Sequence, residues 1–198
     1  MATYDKFPGY SKQAMWSLFL IVAFPIHVWA FILYFRDITW ITERTNYWNA
    51  IGVGAYALLF ALLESIVVFM IVFLFGLLFP KRWPEEKRIA LLGIFYMLIA
   101  LMAITGQLYF LLGAPFQEMT TRLLAATGHP VRALYVITLT PIALLAMVSV
   151  YMVIKSPKAT QFVKKIFERL SLLTSIYIVF DIIGIFIVIF RNIQNILK

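Results

Sequence analysis

The sequence predicts an all-α fold, a single bundle of five transmembrane helices with the N-terminus cytoplasmic and the C-terminus external. Three observations carry this. Of 198 residues, 63% are hydrophobic and only 13% charged, more apolar surface than the interior of a soluble domain of this size can hide. The apolar residues fall in five runs, each long enough to cross roughly 30 Å of hydrocarbon. Those runs are continuous rather than alternating with a period of two, which argues against a transmembrane barrel. No internal repeat, low-complexity tract or composition shift divides the chain, so residues 1–198 are read as one domain of the cell membrane.

The first span is placed at residues 14–35. Lys6 and Lys12 precede it and Val28-Trp29-Ala30 loosely fits a signal-peptide cleavage site. The apolar run continues through Phe35, however, beyond the roughly 7–15 residues of a signal-peptide core, so it is expected to be retained as a span. The second span covers residues 50–79 and ends at Pro80, which cannot continue a helix. It exceeds the ~20 residues a crossing needs, so it tilts or projects. The third, residues 84–112, opens on "WPEEKR". Pro84 suits a first helical position, and Glu85 and Glu86 suit the positive end of the helix dipole. The fourth and fifth are placed at residues 131–154 and 170–190.

Two connections carry helical patterns of their own. In "APFQEMTTRLLAATGHP", Phe116, Met119, Leu123 and Leu124 share a face, Glu118 and Arg122 form an i,i+4 pair, and Gly128 suits a C-cap. This segment reads as an amphipathic linker on the membrane or a lid over an external cavity. In "PKATQFVKKIFERL", Phe162, Ile166, Phe167 and Leu170 oppose Lys164, Lys165 and Arg169. That pattern is expected to lie along an anionic lipid surface.

Orientation follows from the basic residues. Eleven of the 17 Lys and Arg fall on the side of Lys12, Lys81 and Lys155, and six on the side of Arg36, Arg44, Arg132 and Lys198. The richer side is cytoplasmic. Trp16 and Trp83 then mark the inner interface, and Trp40, Tyr47 and Trp48 the outer one. The net charge of +8 therefore points to anionic lipid headgroups on the cytoplasmic side, not to nucleic acid.

The chain has no cysteine, which excludes disulfides, zinc–thiolate sites and thiol nucleophiles. There is no HExxH, no phosphate-binding glycine loop and no GxSxG. With only His27 and His129, no bis-histidine haem or histidine-rich metal site can form in one bundle. No cofactor and no metal are expected, and no motif marks a catalytic residue.

What remains is a set of polar groups inside the apolar runs. Glu64 interrupts "FALLESIVVF" near the middle of the second span, and Asp181 lies near the middle of the fifth. Ala57, Ala61 and Ser65 form a small-xxx-small series beside Glu64, so Glu64 is expected to point into the bundle. His27 lies a few ångströms outward of centre in the first span, and Gln107 and Thr138 lie in the outer halves of the third and fourth. Tyr177 sits one turn from Asp181. The candidate intramembrane site is therefore Glu64, Asp181, His27, Gln107, Tyr177 and Thr138, converging on a pocket from mid-membrane to the outside. Pro25 and Pro141 would add unpaired backbone carbonyls to it.

An ionisable group at a helix centre costs roughly 2.5–3.5 kcal/mol on insertion scales. One acid protonated as a hydrogen-bond donor, or one paired with protonated His27, would lower that cost. Each group also has a purely structural reading as an acid or histidine satisfied by a neighbouring helix. Three functions are compatible with the set. The first is a non-catalytic subunit of a larger membrane complex, partnered by another membrane protein or by its own copies. The second is a proton- or cation-linked transporter or channel using Glu64 and Asp181, and the third is a membrane enzyme acting on lipid or a lipid-linked substrate.

Overall fold

The computed structural model describes residues 9–111, 113 and 116–196. Lys6, Lys198, Leu112 and the Ala114-Pro115 end of the linker lie outside the described residues. The described chain is helical: α1 (Lys12–Arg44), α2 (Tyr47–Gly76), α3 (Glu85–Leu111), α4 (Glu118–Ala126), α5 (Pro130–Lys155) and α6 (Pro157–Ile196). Five of these, all but α4, are long and apolar enough to cross a membrane.

Each boundary has a local cause. Ser11 caps α1, its hydroxyl accepting from the Ala14 amide at 3.2 Å and donating to Glu85 at 2.5 Å. One side chain thus starts α1 and ties it to the first turn of α3. Asn46 caps α2, its side-chain oxygen accepting from the Asn49 amide at 2.8 Å. The second span was expected to run to Pro80 but its helix ends at Gly76. Residues 77–79 tighten into turns, with Phe79 N–H on the Gly76 carbonyl, because the residue before a proline avoids the helical region. The Pro84 carbonyl accepts from the Lys87 and Arg88 amides and starts α3. α4 is the short helix expected of the linker. Gly128, at φ +69°, turns the chain out of it in a conformation that β-carbon-bearing residues resist.

The basic segment before the fifth span departs from expectation. It is not a separate helix on a lipid surface. It continues into the span as one α6 of 40 residues, about 60 Å at ~1.5 Å per residue. No Gly or Pro interrupts residues 158–183, so nothing bends the helix at the junction. Lys164 on this extension pairs with Glu86 of α3 at 2.6 Å, holding it against the bundle.

α1 is the centre of the bundle, with α2, α3 and α6 packed around it, while α5 leans on α3 and α6. The densest core is at the end where α1, α3 and α6 begin, built from Tyr10, Leu18, Ile21, Val22, Ile89, Leu92 and Phe167. Arg88 is buried in this core beside Tyr10, its guanidinium 4.2 Å from the ring centroid and bonded to the Gly9 carbonyl. It is thus turned inward onto Gly9 and Tyr10 and away from headgroups. α2 and α3 pack against α1 more than against each other, which leaves an opening between them. At the other end of the bundle Arg191 of α6 reaches the Trp48 carbonyl and Asn49 Oδ1. Its guanidinium fills the space where a Gly52 side chain would stand.

Candidate functional site

The two mid-helix acids have opposite surroundings. Asp181 is fully buried, at 0% exposure, against His27, also at 0%. His27 Nε2 lies 2.9 Å from Oδ2 and 3.1 Å from Oδ1 of Asp181. His27 Nδ1 lies 2.8 Å from the Ala23 carbonyl one turn earlier in α1. A carbonyl only accepts, so Nδ1 carries a hydrogen. The contact to Asp181 then needs one further proton, on Nε2 or on the carboxyl. Imidazolium with carboxylate and imidazole with carboxylic acid have the same proton count and the same net charge of zero. The pair therefore joins α1 to α6 as a neutral, fully hydrogen-bonded unit.

Aromatic rings seal it. Tyr177 stacks on His27 with centroids 6.0 Å apart and planes at 17°, and Phe31 and Phe24 close around Tyr177. Tyr177 thus meets the pair through its ring. Close to Pro25, Tyr96 of α3 donates to the Val22 carbonyl at 2.9 Å and ties α3 to α1.

Glu64 is exposed on the helix surface and has no hydrogen-bond or ion-pair partner among the described residues. Of the small series beside it, Ala61 and Ser65 are buried while Ala57 is half-buried and lines the groove. But Glu64 lies at the edge of that buried face, and α3, the helix that could cover it, stands away from α2. Glu64 lines two clefts. One, of about 300 Å³, is floored by Pro25, Ile26 and Trp29 and walled on the α3 side by Tyr96, Ala100, Ala103 and Gln107. The other, of about 350 Å³, runs between α1 and α2 past Ala57 and Phe60 to Asp37 and Ile41. Ile26, Trp29 and Glu64 line both, so they form one lateral groove with the acid at the junction.

Of the six candidate residues, the structure groups His27, Asp181 and Tyr177 in one sealed cluster, and Glu64 and Gln107 in the open groove. Thr138 joins neither. It is exposed on α5 and bonds back to the Leu134 carbonyl at 2.8 Å. Among the described residues α5 packs on α3, α4 and α6 and on neither α1 nor α2, so it stands apart from the helices that carry Glu64 and His27. The expected single pocket is thus two separate polar places. Trp29 is the groove residue that sequence reading passed over, because no polar partner at helical spacing marks it. Among the described residues no three His, Asp or Glu side chains gather closely enough to hold a metal ion. No family model, curated protein or solved structure matches the chain.

Proposed function

We propose that this protein is a non-catalytic subunit of a larger complex in the cell membrane, and that a second membrane chain docks in the groove at Glu64. In this reading the N-terminus is cytoplasmic and the C-terminus external. The observation that supports it most is the contrast between the acids. Asp181 is satisfied inside the chain, whereas Glu64 opens sideways with no partner of its own. A mid-membrane carboxyl facing lipid costs roughly 2.5–3.5 kcal/mol on insertion scales, and a docked helix removes that cost. Ala57, Ala100 and Ala103 along the groove allow close backbone approach, the usual basis of helix association in lipid.

A transport function draws less support, because it needs water to reach both acids and the His27–Asp181 pair is closed. The basic residues of the cytoplasmic end would contact anionic headgroups, though Lys87, Arg88 and Lys164 are engaged by Ile154, Gly9 and Glu86. The test is purification in mild detergent from the native membrane. A different chain should accompany the protein at fixed stoichiometry and be lost in Glu64→Gln. Isolation of the wild type as a homogeneous monomer would contradict the proposal.

A further inference from the structure

The groove's shape and charge also constrain its occupant. Along α1 its lining runs from Ile26 to Ile41, about 22 Å at ~1.5 Å per residue. It is an elongated footprint between α1 and α2 that suits a helix, meeting the α3-walled cleft at its Glu64 end. Glu64 stands about 18 Å along the axis from Gly76, at the helix centre. A carboxyl group at that depth is complemented by a basic group at the same depth, since intramembrane ionisable groups pair with one another.

This chain cannot supply that basic group. Between Lys12 and Arg36, Arg44 and Lys81, Arg88 and Arg122, Arg132 and Lys155, and Arg169 and Arg191 there is no Lys or Arg. Those intervals contain the centres of all five long helices. The histidine at comparable depth, His27, is already committed to Asp181. A second copy therefore has no cation to offer.

We infer that the groove's occupant is a transmembrane helix of a different polypeptide, carrying a Lys, Arg or protonated His near its centre that pairs with Glu64. This inference rests on the assembly reading and narrows it to one partner chemistry.

Site-specific photocrosslinking in intact native membranes tests it. Benzoylphenylalanine is placed in the full chain at Phe60, an exposed aromatic residue lining the groove, and at Leu144 on the exposed face of α5 as control. The expected result is one discrete adduct from Phe60 and none of that size from Leu144. The crosslinked peptide maps to an apolar helix with a central basic residue. Glu64→Gln should reduce the adduct at least about tenfold, as loss of one partner of a desolvated charge pair does. Glu64→Asp, which keeps the charge on a shorter arm, should retain more of it. Equal melting temperatures of the Gln variant and the wild type establish that folding is intact.

An adduct to a different chain that Glu64→Gln leaves undiminished overturns the cation pairing but keeps the assembly reading. So does a crosslinked helix without a central base. An adduct to a second copy overturns the inference that the partner is a different polypeptide. Crosslinks to lipid alone overturn both the inference and the assembly reading.

Discussion

His27 and Asp181 are the most tightly constrained polar residues of the bundle. Removing one member leaves the other buried without its partner, which costs about 3–5 kcal/mol where the remaining group stays charged. Replacing both with apolar residues of similar volume removes the orphan and is often near neutral. His27→Leu and Asp181→Leu should each lower the melting temperature in detergent, and the double variant should be more stable than the sum of the single losses predicts. Additive losses would mean that the two side chains do not act as a pair. Glu64→Gln should leave the melting of the isolated chain unchanged, because no contact within the chain is lost. The sequence showed which residues would be polar at mid-span and offered a pairing of His27 with an acid as one way to satisfy them. It did not show which acid, because Glu64 and Asp181 stand at similar depth and only the rotation of α2 and α6 about their axes separates them.

At the scale of elements, α2 and α6 approach closely because Gly184 presents no side chain to α2. A β-carbon there would stand 3.3 Å from the Ala55 carbonyl. Gly184→Leu should force the helices apart, at about 1–3 kcal/mol for overpacking, and lower the melting temperature well beyond Gly184→Ala. Equal melting of the two variants would show that the crossing is not tight. Helix existence was legible from apolar run length alone, and the starts followed from Ser11, Asn46 and Pro84. The ends were less legible. α2 stops short of its proline through a turn, and α6 extends through a segment whose amphipathic pattern suits a surface helix equally well. Amphipathicity states which face is apolar and leaves open what covers it: here Phe167 is buried against Gly93 of α3, while Phe162 and Ile166 stay exposed.

For the whole molecule, the charge asymmetry predicts topology, and the absence of cysteine makes it simple to measure. Single cysteines at Lys12 and Arg44, one at each end of α1, should react differently with a membrane-impermeant thiol reagent. Arg44→Cys should label on intact cells, and Lys12→Cys only after permeabilisation. The reverse pattern would invert the assignment. The gap between α2 and α3 could not be read from sequence at all. Consecutive spans joined by a short connection usually neighbour each other, yet here both pack mainly on α1, whose Leu18, Ile21 and Val22 are fully buried at the centre. That preference opens the groove and leaves Glu64 outside the bundle's own hydrogen bonding.

The central claim is that this opening is filled by another chain. Native mass spectrometry of the protein released from its own membrane tests it most directly. One copy should appear bound to a different polypeptide in fixed ratio, with the free chain appearing in Glu64→Gln. A wild-type spectrum holding only the free chain, or only whole multiples of it, would contradict the claim.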